Sequence, residues 1–409
     1  MLHRSRCWSV VVWLFMAAVH PAVAQDTIRI AFVDPLSGPI AILGTRALKH
    51  FQFLADRINS MGGIDGKKLQ IDAFDNEGSP ERSLILLKQI IDSNIRYITQ
   101  GGSTPVAYAL SDAVTKHNRR NPDKSVLFLG WGNTDPGLTN EKCTFWHFRF
   151  DAEINMRTKA LTDYMASLPK IKKVYLLNPD YSSGIQVERI ATEMLRAKRP
   201  DVEIVGSERI PLGKIQDFTP YVAKIQASGA DSVITMNYGP DMILFAKAAK
   251  QGNLNATLYT FFGGYPGIPA AVGESGKGLI FLSEWHSNLG IPEFEQLSKD
   301  YEKRYGEDFF HWKIALTLNM LSKAMTEAKS VDPLKVAYAL EGLRYETPVG
   351  EAWMRKEDHQ IIEPLFISVL TDGQKFDIDH TGLGLKTLRK VTARDAEVAT
   401  TCKMERPAH

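Results

Sequence analysis

Four short segments carry the residues best suited to chemistry: Asp34–Gly38, Gly101-Gly102-Ser103-Thr104, Gly130-Trp131-Gly132-Asn133-Thr134 and Asp180-Tyr181-Ser182. Each follows a short apolar run that reads as a β-strand, and each mixes hydroxyl, amide or aromatic side chains, three of the four with glycine. Glycine lets a backbone N–H come close to a ligand. Hydroxyls beside the N-terminus of a following helix suit a carboxylate or another anion. One such loop is ordinary turn chemistry. Four at strand ends point to a binding cleft, because open α/β sheets hold ligands beyond the carboxyl ends of their strands. Enzyme signatures are missing. There is no Gly-x-Ser-x-Gly elbow and no His-Glu-x-x-His pair. Residues 271–278 lack the first Gly and the Ser/Thr of a phosphate loop, and no dinucleotide glycine pattern follows the first strand. No catalytic group, metal set or cofactor is expected.

The elements that must position these loops alternate. Thr27–Val33 reads as a strand and Ala41–Asn59 as a helix, with Leu43, Ala47, Phe51 and Leu54 on one face. Leu69–Phe74 is a strand, Ser79-Pro80 opens the next helix, and Tyr97–Gln100, Val106–His117 and Val126–Leu129 continue the alternation. A second series runs from Met156 to Phe261 with strands at Lys173–Asn178, Val202–Ile210, Ser232–Met236 and Thr257–Phe261. Two such series predict two α/β lobes with mostly parallel sheets. No low-complexity linker separates them, so the chain is expected to cross between lobes at several short points. Residues after about Asp372 read as a polar extended tail.

The 409 residues carry 49 Lys+Arg against 47 Asp+Glu, and this near balance argues against nucleic acid or an anionic membrane as the main partner. His3, Arg4 and Arg6, the apolar run Trp8–Val19 and Ala22-Val23-Ala24 read as a secretory signal peptide over residues 1–24. The run is too short to span a bilayer comfortably, and no later stretch is long enough, so an exported, soluble protein is expected. Cleavage removes two Arg and no acid, which leaves 47 bases and 47 acids. Cys143 and Cys402 then remain, and export permits a disulfide between them. A loop that long would stabilise by roughly 4–5 kcal/mol on the chain-entropy account.

The run Ile30-Ala31-Phe32-Val33-Asp34-Pro35-Leu36-Ser37-Gly38-Pro39, followed by Asn59-Ser60-Met61-Gly62-Gly63-Ile64-Asp65-Gly66, resembles the opening of periplasmic leucine/isoleucine/valine-type binding proteins, the solute receptors of ABC importers. Asp135-Pro136-Gly137-Leu138-Thr139, Asp180-Tyr181-Ser182-Ser183-Gly184, Asp217-Phe218, Gly229-Ala230-Asp231-Ser232-Val233 and Tyr238-Gly239-Pro240-Asp241 continue the likeness in the family's order. The resemblance implies a type I periplasmic binding fold: two doubly wound lobes, three crossovers and a ligand clamped by hinge closure. The first lobe is expected over 25–147 plus about 284–360, and the second over 148–283 plus about 361–371. The tail 372–409 is expected to pack back on the first lobe near Cys143. By the same resemblance Ser103 and Thr104 hold a ligand carboxylate, Trp131, Gly132 and Asn133 hold its other side, and Tyr181 and Tyr238 close from the second lobe. Arg149 stands near the first crossover as a hinge ion pair or as a carboxylate ligand.

One departure bears on the ligand. Amino-acid receptors of this family place an acid after the strand Thr257–Phe261, and here that stretch is Phe261-Phe262-Gly263-Gly264-Tyr265. A buried ammonium without an acceptor is costly. With Trp131, Phe261, Phe262 and Tyr265 adding flat apolar surface, a hydrophobic or aromatic acid is expected, with a branched-chain amino acid as the alternative. Asp241 at a helix start reads as a cap. The partners implied are the small-molecule carboxylate and an ABC permease with its ATPase subunits, the receptor itself acting as a monomer. The competing readings are a ligand-sensing subunit for a partner signalling receptor and a secreted α/β enzyme.

Overall fold

The computed structural model describes residues 27–408 except 39 and 266; the expected leader lies outside the described residues. The first series gives β1 (Thr27–Asp34), α1 (Ala41–Ser60), β2 (Lys68–Asp75), α2 (Pro80–Asp92), β3 (Tyr97–Gln100), α3 (Thr104–Arg120), β4 (Leu127–Gly130) and β5 (His147–Arg149). The strands form a parallel five-stranded sheet in the order β2-β1-β3-β4-β5. The second series gives α4 (Ile154–Ala166), β6 (Lys173–Pro179), α5 (Ser182–Lys198), β7 (Glu203–Ile210), α6 (Thr219–Ala227), β8 (Ser232–Thr235), α7 (Gly239–Gln251), β9 (Thr257–Thr260), α8 (Ile268–Val272) and β10 (Ile280–Ser283). Then follow α9 (Pro292–Tyr305), α10 (Trp312–Ala328), α11 (Pro333–Leu340), β11 (Arg344–Thr347), β12 (Gly350–Met354), β13 (Ile361–Ile362), β14 (Leu365–Asp372), β15 (Leu383–Val391) and α12 (Ala393–Ala396). The second sheet runs β15-β14-β10-β9-β8-β6-β7, and β11-β12-β13 make a small antiparallel sheet.

Local chemistry explains the helix starts. Ser79 caps α2 by accepting from the Arg82 N–H at 3.2 Å, with Pro80 in its first turn. Glu153 caps α4 through the N–H groups of Asn155 and Met156 at 2.8 and 3.1 Å. Helix α9 ends on Gly306 in the left-handed region at φ 66°. Tertiary packing then divides the chain. The apolar faces of α9, α10 and α11, through Phe294, Trp312, Leu316 and Leu340, share one core with the first sheet. The second sheet has a core on each face, one reached by α4 and α5 and the other by α6 and α7.

Between β5 and α4, between β10 and α9, and between β13 and β14 the chain passes from one of these bodies to the other. Each passage delivers a buried acid: Asp151, Glu284 and Glu363. Lys313 from α10 pairs with Asp151 at 2.8 Å and Glu284 at 3.6 Å. Arg157 from α4 pairs with Asp151 and, at 3.4 Å, with Glu284. Burial, together with neighbouring Glu284 and Asp151, raises the Glu363 carboxyl well above the usual carboxylate range. Two cations thus face three acids brought together from three separate passages.

The tail requires a correction. Residues 383–391 are not an extended segment on the first lobe; they form β15, the edge strand of the second sheet, antiparallel to β14. Its exposed Lys386 and Lys390, with half-buried Arg389 between them, give it a polar look, as charges do on edge strands that must not pair further. Helix α12 then lies on α4, where Lys159 holds the Asp395 carbonyl. Past α12 the last residues return to the first core: Thr401 N–H donates to Asn140 at 2.9 Å, Arg406 pairs with Glu341 at 2.7 Å, and Cys402 is bonded to Cys143 with Cα atoms 5.8 Å apart.

Candidate functional site

The first-lobe loops are organised by one acid. Asp34, at the end of β1, is fully buried. It accepts from Gly101 N–H at 3.1 Å, Gly102 N–H at 2.7 Å, the Trp131 indole N–H at 2.9 Å and Gln100 Nε2 at 3.2 Å. Burial pushes its carboxyl up to about 7, against the pull of these donors. The ends of β1, β3 and β4 are thereby tied together. A β-carbon on Gly101 would sit 2.4 Å from the Trp131 ring, so only glycine permits this closeness.

Ser103 takes the N-cap position of α3, extended at φ −154°, and its hydroxyl makes no capping bond. Its hydroxyl and the first-turn N–H groups are therefore not used within the helix, and the positive end of a 17-residue helix stands behind them. Thr104 opens the helix beside it. Asn133 is buried; its Nδ2 donates to Gln100 at 2.8 Å while its Oδ1 has no partner among the described residues. Gly132 lies over the Gly101 carbonyl, 3.0 Å from where a β-carbon would be.

From the second lobe, Tyr181 and Tyr238 occupy the N-cap positions of α5 and α7 in extended conformation, neither capping its helix. Burial raises the pKa of both hydroxyls, with the other tyrosine as a neighbouring influence on each. The Phe262 ring meets Tyr238 at 5.8 Å and Tyr265 at 5.2 Å, edge to face. The lobes touch here. Ser182 Oγ donates to Asp135 Oδ2 at 2.9 Å, and Asp135 Oδ1 accepts from Tyr108 at 2.9 Å. Ser103, Thr104, Gly132 and Asn133 lie beyond the carboxyl ends of first-sheet strands, and Tyr181, Tyr238 and Phe262 beyond those of second-sheet strands.

Two expected site residues are used by the protein itself. Trp131 is buried, bound to Asp34 and wedged edge-on against Phe51 and His311 at 6.5 and 5.3 Å; it supports the loop. Arg149 is fully buried and directs its guanidinium to Gln360 Oε1 at 2.6 Å, the carbonyls of Asn133 and Asp135, and Thr139 Oγ1. It makes no ion pair among the described residues and forms a hydrogen-bonded joint between the loop after β4 and the β12–β13 connection. Phe261 belongs to the second-lobe core. Asp241 accepts from Gly213 N–H at 2.8 Å instead of capping α7. Sequence reasoning missed the organising role of Asp34 and the cross-lobe acceptor Asp135. An acid at the end of an apolar strand, with two glycine loops elsewhere to bind, was the available signal.

Beside this loop set lies a cavity of about 250 Å³ lined by α1, the 306–311 segment, Tyr265 and the 379–380 turn. Tyr265 and His311, 6.5 Å apart, link it to Phe262 and Trp131. No described helix is long and apolar enough to cross a membrane.

Comparison with known proteins agrees with this architecture. The profile of the periplasmic binding protein family matches residues 27–375. The chain is 31% identical over 393 residues to the Leu/Ile/Val-binding protein homolog 4 of Brucella abortus, covering 94% of each. The crystal structure of the leucine-, isoleucine-, valine-, threonine- and alanine-binding protein of Brucella ovis, in closed conformation, superposes with TM-score 0.86 at 31% identity, covering 94% of this chain and 100% of that one. A solute-binding protein of an ABC transporter from Rhodopseudomonas palustris, solved with 4-hydroxybenzoate, shares the fold at TM-score 0.75 and 20% identity, over 90% of this chain and 97% of its own. Two lobes, three crossovers with buried acids and uncapped helix N-termini around a cleft thus belong to a member of the periplasmic binding protein family.

Proposed function

We propose that this chain is the periplasmic receptor of an ABC importer, not an enzyme. It captures a small hydrophobic or aromatic carboxylic acid between its lobes and delivers it to the permease. The carboxylate lies at the α3 N-terminus on Ser103 and Thr104, and the apolar body lies against Phe262 and Tyr265. The observation that carries this reading is the segment after β9. It presents two aromatic rings edge to face and no acid to balance an α-ammonium. A second reading, an α-amino acid ligand, is favoured by one feature: buried Asn133 Oδ1 is an acceptor without a partner, and an ammonium would supply it. The relatives named for branched-chain amino acids add to that reading.

Isothermal titration with benzoate and with L-leucine separates the two. Binding of benzoate with no heat from leucine is expected. Tight leucine binding without a response to aromatic acids overturns the leading reading in favour of the second. N-terminal sequencing of exported protein tests the leader: the mature chain is expected to begin at Gln25.

A further inference from the structure

The cavity beside the loop set is bounded by three parts of the fold that the first-lobe and second-lobe loops do not include. One is α1. Another is the 306–311 segment between α9 and α10. The third is the turn between β14 and β15, which the edge hairpin carries across to this place. At about 250 Å³ it is slightly smaller than the roughly 300–1,000 Å³ typical of pockets for drug-sized ligands. It therefore suits part of a small molecule. It adjoins the α3 N-terminus: Pro35 lies against both Gly44 of α1 and Gly102 of the Ser103 loop.

Its polar groups divide sharply. The acids are already engaged. Glu307 pairs with Lys49 at 2.5 Å, Asp308 accepts from the Asp379 N–H at 2.7 Å, and Asp379 accepts from the Gly267 N–H. His50 has both ring nitrogens bonded, to the Arg46 carbonyl and the Phe310 N–H. Two buried polar atoms of the lining are left over. Arg46 Nε is buried without a partner among the described residues, and so is Nδ1 of His311, a side chain only 9% exposed. A buried guanidinium donor without an acceptor is unfavourable, and no described side chain offers one.

We propose that this cavity receives the far end of the ligand, and that this end carries an oxygen acceptor held by Arg46 and His311. The ligand is then a carboxylic acid with a second oxygen function opposite the carboxylate, and the β14–β15 turn closes the cleft over it. This rests on the carboxylate reading above.

The test is calorimetric titration of the full mature chain with benzoate, 3-hydroxybenzoate, 4-hydroxybenzoate and L-leucine, in the wild type and in Arg46→Met. At least one hydroxylated acid is expected to bind about tenfold or more tightly than benzoate, the range for a hydrogen bond to a charged group. In Arg46→Met that preference is expected to shrink to within about threefold, with benzoate affinity unchanged. Thermal melting of the variant reports whether it folds, and the wild-type comparison of the acids stands without it. The proposal fails if benzoate binds as tightly as both hydroxylated acids, if the preference survives in Arg46→Met, or if the folded variant weakens all acids equally. In those cases the carboxylate reading stands. If no aromatic acid binds, that reading and this proposal fall together.

Discussion

Removal of the Asp34 carboxylate tests whether one acid organises the first-lobe loops. Asp34→Ala leaves the Gly101 N–H, the Trp131 indole N–H and Gln100 Nε2 buried without their acceptor. The Gly102 N–H, which is part-buried, loses its 2.7 Å bond as well. At about 1–3 kcal/mol for each fully buried donor, with water entering part of the vacated space, the loss is about 3–6 kcal/mol. Asp34→Asn keeps one acceptor oxygen but turns an amide toward other donors, so an intermediate loss of about 2–4 kcal/mol is expected. Urea unfolding at pH 6, followed by tryptophan fluorescence and circular dichroism, reads this as a lower midpoint at unchanged slope.

The pH dependence adds a second readout. The folded carboxyl is pushed up to about 7 from an ordinary value of 3.8, so the folded state holds the proton longer. For this group alone stability is greatest below pH 4 and declines as the pH rises to about 7, by a total on the order of 4 kcal/mol. His50 and His147 have the opposite sign: burial pushes both down to about 3, so they cost stability as the pH falls below 6.5. Subtracting the Asp34→Asn profile from the wild-type profile isolates Asp34. An Asp34→Ala variant within about 1 kcal/mol of wild type, or an Asp34→Asn profile parallel to the wild type between pH 4 and 7, would refute the reasoning.

Three other outcomes are expected. Lys313→Met leaves Asp151 and Glu284 to Arg157 alone and should destabilise by about 3–5 kcal/mol; a melting temperature within two degrees of wild type would contradict it. Breaking Cys143–Cys402 in the double serine variant should cost up to about 5 kcal/mol on the chain-entropy account and speed proteolysis after residue 396; an identical melting curve with and without reductant argues against it. Ser182→Ala removes a hydrogen bond across the cleft and should weaken binding of whichever acid titrates by about 2–10-fold, with a less compact liganded form in X-ray scattering; unchanged affinity would show that the Asp135 contact does not favour closure.

Much of the scaffold was legible in the chain because local rules are strong there. Ser79-Pro80 announced α2, and alternating apolar runs and helical faces announced two α/β series. The even number of cysteines after the leader allowed a bridge that the fold forms between Cys143 and Cys402. β15 escaped because an edge strand with Lys386, Arg389 and Lys390 shows no apolar run, and only pairing with β14 makes it a strand.

The site divides in the same way. The sequence by itself placed Ser103, Thr104, Gly132, Asn133, Tyr181, Tyr238 and Phe262 at strand ends and helix starts. That follows from residue types and order alone. Whether a given aromatic or charged side chain faces the cleft or the protein was decided only by tertiary contacts. Trp131 turned to Asp34, Arg149 to Gln360 and neighbouring carbonyls, and Phe261 to the core. A buried indole, guanidinium or ring takes whichever partner the fold brings within reach. Three acids from three separate passages met two cations between the lobes for the same reason: their distance along the chain says nothing of their distance in space.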